Sequence, residues 1–138
     1  MKNAMKTSIL MILMLIVAIE APAQNQAQPK VNYDAIAGTW ALEINTGDAY
    51  FYLTLNLKVT EGKLEGDVSE QNGMFTNTPL SNIEFDGQTL RYEMKVPTPP
   101  EGAERLVKTE VKLVDGRLEG ALTVEELGVS AAVTGTKK

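Results

Sequence analysis

From Gly38 onward apolar and polar residues alternate one for one, and each alternating stretch ends in a cluster of Gly, Pro, Asn or Asp. A period of two marks a half-buried β-strand, because successive side chains along a strand point to opposite faces. The stretch from Ala49 to Thr60 is the clearest: Phe51, Leu53, Leu55, Leu57 and Val59 share one face, and Tyr50, Tyr52, Thr54, Asn56 and Lys58 share the other. On a helix those apolar residues would scatter around the axis.

The same rule predicts about eight strands. The first runs from Gly38 to Asn45 with Trp40, Leu42 and Ile44 inward, and the second is Ala49 to Thr60. The third, Lys63 to Ser69, turns Leu64, Gly66 and Val68 inward, and the fourth, Pro79 to Phe85, turns Ser81, Ile83 and Phe85. The fifth, Thr89 to Val96, buries Leu90, Tyr92, Met94 and Val96. It is expected to stop at Pro97-Thr98-Pro99-Pro100, since proline has no amide to donate to a ladder. The sixth, Arg105 to Val114, buries Val107, Thr109, Val111 and Leu113. The seventh, Arg117 to Val124, buries Leu118, Gly120, Leu122 and Val124, and the eighth, Gly128 to Thr136, buries Val129, Ala131, Val133 and Gly135.

The turns sort by position. Those after the second, fourth and sixth strands are Glu61-Gly62, Asp86-Gly87 and Asp115-Gly116, each a tight hairpin signal, while those after the first, third, fifth and seventh are longer. In an up-and-down meander the two sets lie at opposite ends, so one end is sealed and the other ringed by loops. The first strand starts and the last one finishes at the sealed end. Pairing them antiparallel closes the sheet into a small all-β barrel and removes both edges. Glu61-Gly62-Lys63-Leu64-Glu65-Gly66 is echoed by Asp115-Gly116-Arg117-Leu118-Glu119-Gly120. A strand glycine permits the sharp coiling that a small barrel needs, which accounts for the echo without a binding motif.

Before Asn32 the pattern changes. Lys2 and Lys6 precede an apolar run from Thr7 to Ile19, and Ala21-Pro22-Ala23 supplies small residues of the kind found at a signal-peptide cleavage site. The run is short against the roughly 20 residues of a membrane-spanning helix. Residues 1–23 therefore read as a cleaved secretory signal, residues 24–32 as a flexible polar leader, and residues 33–138 as one domain, with Tyr33 to Ala37 forming a 3₁₀ turn for which Asp34 is a candidate N-cap. Such a protein is periplasmic or secreted and has no membrane partner once cleaved.

The whole chain carries 13 basic and 18 acidic residues, a formal net charge of −5, and loss of the two lysines and one glutamate of residues 1–23 makes the balance more acidic. That disfavours nucleic acid as a partner. There is no cysteine, so no disulfide or lipidated cysteine, and no histidine, which removes the commonest metal ligand and the usual general base. Triad chemistry lacks a base, nothing fixes two carboxylates at one cleft, and no catalytic residue, metal site or cofactor is assigned. Asp48, Glu70, Glu101, Glu104, Glu125 and Glu126 gather at the loop-bearing end and read as a solvated acidic rim rather than a calcium site.

Gly38-Thr39-Trp40 after a short turn, followed by a meander of about eight strands with tight turns at the Trp end, resembles the lipocalin-type (calycin) barrels. That resemblance implies that Trp40 plugs the floor, that a late basic residue, Lys137 or Lys138, stacks on the indole, and that the mouth accepts a small apolar ligand. The chain departs from the family in being short and in lacking both a disulfide and a clear C-terminal helix. Ala35-Ile36-Ala37-Gly38-Thr39-Trp40 also resembles the opening strand of avidin-like biotin binders, but the later tryptophans that wall their pocket are absent and biotin is not carried over.

Eight strands enclose a space that side chains just fill or that holds one small ligand. The inward residues nearest the mouth are Ile44, Phe51, Met94, Val96, Val107 and Val124, joined from the long loop by Met74 and Phe75. These eight form the expected site for an apolar or amphipathic ligand, in a protein expected to be monomeric. The alternative is a solid-core protein-interaction or inhibitory module, without a ligand cavity, that meets a protein partner through the acidic rim and the Tyr50/Tyr52 face.

Overall fold

A computed structural model describes residues 31–138; the predicted signal peptide and most of the leader lie outside the described residues. Nine antiparallel strands form one sheet that curls into a nearly closed barrel: β1 (Gly38–Asn45), β2 (Tyr50–Thr60), β3 (Lys63–Glu70), β4 (Thr78–Pro79), β5 (Ser81–Phe85), β6 (Thr89–Thr98), β7 (Ala103–Val114), β8 (Arg117–Val124) and β9 (Val129–Lys137). Their order around the wall is β4-β3-β2-β1-β9-β8-β7-β6-β5. The first and last strands pair, with Trp40 opposite Lys137 and Ile44 opposite Val133. Short 3₁₀ segments lie at Tyr33–Ala35 and Glu125–Leu127, and among the described residues no helix is long and apolar enough to cross a membrane.

Alternation puts the apolar set inside. Trp40, Leu42 and Ile44 of β1, Leu53, Leu55 and Leu57 of β2, and Leu90, Tyr92, Met94 and Val96 of β6 are all buried. Val107 and Val111 of β7, Leu118 and Val124 of β8, and Ala131 and Val133 of β9 complete the same core. The inner face narrows where strands coil. An added methyl at Gly120 would lie 2.0 Å from the Glu110 carbonyl oxygen, and one at Gly66 would lie 2.5 Å from that of Asn56, so both echoed glycines admit a backbone that no other residue would.

The sealed end rests on two matched hairpins. Glu61 and Gly62 have φ of 51° and 76°, and Asp115 and Gly116 have 50° and 76°. Two successive left-handed residues make the type I′ turn whose twist suits flanking strands. In the third turn the Asp86 carboxylate accepts the Thr89 and Gln88 amides at 2.7 and 2.9 Å, which holds its pKa below the ordinary aspartate value. Across this end lies the 3₁₀ segment. Ile36, just after it, is completely buried, and its carbonyl accepts the Trp40 indole N–H at 2.8 Å. Lys137 Nζ stands 5.7 Å from the centroid of the Trp40 ring.

The structure corrects the sequence reading in several places. The single fourth strand, Pro79 to Phe85, is two: β4 pairs with β3, β5 pairs with β6, and the chain crosses between them at Leu80, whose amide donates to the Gly66 carbonyl. Asn82 has a φ of 49° within a bulge between Ser81 and Glu84, which breaks the alternation and leaves Ser81 exposed instead of inward. The strand count rises to nine for that reason.

The fifth predicted strand does not stop at Pro97 but continues in β6 through Thr98, opposite Ala103. Glu93, two steps of the same parity earlier, has its carbonyl facing Ser81 of β5, so the missing amide of Pro97 falls on the side where β5 has already ended and no ladder bond is lost. Val59 and Val129 occupy inward parity yet are 45% and 48% exposed, since they lie at strand ends beyond the packed layers. The cap of the 3₁₀ segment is Asn32, which accepts the Asp34 amide at 2.9 Å; Asp34 itself does not cap. Val31, assigned to the leader, packs against the core.

Candidate functional site

Strand register decides what faces the open end. Ile44 lies opposite Phe51 and, on its other side, opposite Val133; Met94 lies opposite Val107; Leu122 lies opposite Ala131. These pairs come from both halves of the wall and stand above the level of Leu55, Leu90 and Leu118, which fill the lower barrel and are fully buried. Above them the interior is open, a cavity of about 560 Å³. Pockets of about 300–1,000 Å³ are of the size that takes small-molecule ligands.

All eight residues expected at the mouth line this one cavity: Ile44, Phe51, Met74, Phe75, Met94, Val96, Val107 and Val124. Phe75 is half-buried against the core, whereas Met74 beside it is 44% exposed at the rim. Leu53, Leu122 and Ala131 complete the walls, and Leu127 and Val129, both exposed, extend the apolar surface outward. The cavity is apolar nearly all round.

Of the few polar side chains that line it, Thr46, Asp48 and Ser130 are exposed, whereas Thr98 and Glu70 are buried. The acidic-rim reading is wrong for Glu70: only 6% of the residue is exposed. It closes β3 opposite the buried Leu53, on the inner face. Its Oε2 accepts the backbone amides of Asn72 at 2.7 Å and Met74 at 3.0 Å, and its own amide donates to the Phe75 carbonyl. The carboxylate thereby ties down the loop that carries Met74 and Phe75. The signal for this was in the chain, because Leu64, Gly66, Val68 and Glu70 continue a period of two by one step beyond the predicted strand end.

The remaining rim acids, Asp48, Glu101, Glu104, Glu125 and Glu126, are exposed. Three of them brace the loops. Arg105, with 13% of its side chain exposed, binds Glu101, reaches Glu126 at 3.4 Å and donates to the Thr98 hydroxyl at 2.8 Å. The Arg105 bond lowers the Glu101 pKa, and the partnership of Lys108 with Glu125 at 2.9 Å raises that of the lysine. These contacts fasten the Glu125–Leu127 segment and the loop after β6 to β7. Among the described residues no group of three His, Cys, Asp or Glu side chains is placed to hold a metal ion.

A second concavity, about 660 Å³, lies over the outer face of β5 to β8 among Arg91, Glu93, Lys108 and Glu110. Its side chains are charged and solvated, with Arg91 and Glu110 paired at 3.1 Å while both stay more than half exposed. No family model matches this sequence, and no curated protein matches it.

Proposed function

We propose that this chain is an exported, lipocalin-like binding protein that holds a small apolar or amphipathic ligand in the cavity at the loop-bearing end of its barrel, and that it is not an enzyme. The observation that carries the reading is the convergence of eight mouth-side residues on one apolar space of about 560 Å³ above a filled floor. A solid core would have left no such room. Export to the periplasm or the medium rests on the Lys2/Lys6, apolar run and Ala21-Pro22-Ala23 pattern of residues 1–23. The likeness to the calycin barrels rests on the buried Trp40 after Gly38, the Lys137 cation near its ring and the closure of first strand on last.

Titration with N-phenyl-1-naphthylamine, a neutral probe that brightens in apolar surroundings, tests the reading. One saturable site is expected in the wild-type chain, and Val107→Trp, which fills the cavity from β7, should abolish it with the circular dichroism of the barrel retained. A wild-type chain without a saturable site would defeat ligand carriage. That outcome would favour the protein-interaction reading, which has Tyr50 and Tyr52 in its support, 56% and 48% exposed on the outer face of β2.

A further inference from the structure

The cavity is lined by a carboxylate that has no countercharge among the described residues. Glu70 is on the inner face of β3, and its carboxylate uses Oε2 for both loop amides. Its Oε1 has no hydrogen-bond partner among the described residues, yet it is not a sealed orphan, since the one fully buried side-chain polar atom lacking a partner there is Thr109 Oγ1. Oε1 therefore keeps some exposure, and Glu70 is among the residues that line the cavity. Anchoring the loop needs one acceptor oxygen, which a glutamine would supply; the second oxygen and the charge are left over.

No lysine or arginine among the described residues lines the cavity, and its other charged residue is Asp48. Among the described residues the ion pairs engage Arg91, Arg105 and Lys108 with Glu110, Glu101, Glu126 and Glu125, never with Glu70. A carboxylate withdrawn from water and left unpaired is unfavourable, and a cation placed beside it recovers that loss, whereas an anionic head group would put like charges together in a low-dielectric site. The exposed acids around the mouth add a field of the same sign.

We infer that the ligand of this cavity is a cationic amphiphile, an alkyl or aryl chain ending in an amine, with its tail among Met94, Val96, Val107 and Phe51 and its ammonium group paired with Glu70. This rests on the cavity reading given under the proposed function and narrows it to one class of head group. Fatty acids, the anionic counterparts with the same tail, are selected against.

Isothermal titration calorimetry at pH 7 with decylammonium, decanol and decanoate, each below its micelle concentration, separates the two levels. Decylammonium should bind at least tenfold tighter than decanol, and decanoate more weakly than either. Glu70→Gln, which keeps the loop acceptor, should bring the ammonium-to-alcohol ratio close to one, whereas Glu104→Gln, an exposed rim acid outside the cavity lining, should retain it. Decanoate binding as tightly as decylammonium, or a ratio that survives Glu70→Gln, overturns the inference and leaves the cavity reading standing. Failure of all three probes to bind removes both. The wild-type ranking decides the matter alone should Glu70→Gln not fold.

Discussion

Trp40 is the residue on which the lower barrel converges, being 1% exposed, bonded to the Ile36 carbonyl and overlain by Lys137. Trp40→Ala should cost about 3–5 kcal/mol in urea unfolding, the range for deleting a large buried aromatic side chain. Lys137→Met should cost no more than about 0.5–1 kcal/mol, because a cation–π contact at an exposed position is weak. Equal losses from the two would mean that the lysine, not the indole, holds the floor. Tyr92 offers a test by pH. Burial pushes its phenol up to about 12, with the Thr109 hydroxyl acting in the opposite sense. The neutral phenol is what the folded state accommodates, so this contribution is intact below pH 10. Above pH 10 the unfolded chain ionises first, and stability falls by up to about 2–3 kcal/mol as the pH approaches 12. Stability curves of the wild type and Tyr92→Phe, measured between pH 9 and 12, should diverge by that amount; parallel curves would place the Tyr92 hydroxyl in water.

At the level of strands, a period of two was enough to find the wall and its inner face, and two-residue Gly turns were enough to tell the sealed end from the open one. What escaped was whatever depended on a neighbour distant in sequence. Pro97 ends a strand only if its missing amide faces a partner, and here β5 has already ended on that side. Pro79 to Phe85 alternates well enough to look continuous, yet the chain must pass from β3 to β6 inside it, and Asn82 takes up the change of direction. Glu70 looked like a rim acid because carboxylates are usually solvated. Only the loop folding back onto it, with two amides for one oxygen, makes burial tolerable. The apolar part of the cavity was legible, and its charge was not. On either side of the crossing at Leu80 the ladders are short, two paired positions for β4 and three for β5, so amide exchange should be fastest among the strands over Ser81 to Ile83 and slowest in β1, β2 and β9, whose ladders are continuous on both sides. Uniform protection around the barrel would contradict this. Gly120→Ala should destabilise strongly, by more than the roughly 1–3 kcal/mol of ordinary overpacking, since the clash is with backbone at 2.0 Å and no rotamer can relieve it.

For the molecule as a whole, the division of labour runs along the barrel axis. The lower half is filled and contributes stability; the upper half is open and fixed from outside by Arg105 and Lys108, so the loops that ring the cavity are braced without occupying it. Both ends of the described chain meet at the filled half, where the Lys138 amide donates to the Thr39 carbonyl at 2.9 Å and Lys137 Nζ lies 3.5 Å from the Asp34 carbonyl oxygen. A short Gly/Ser bridge from Lys138 to Val31 would therefore join the two ends of the described chain, with the backbone reopened between Gly47 and Asp48. Such a circular permutant should keep its native fold and present its new termini as two handles beside the cavity, where a fused reporter would sense any change at the open end.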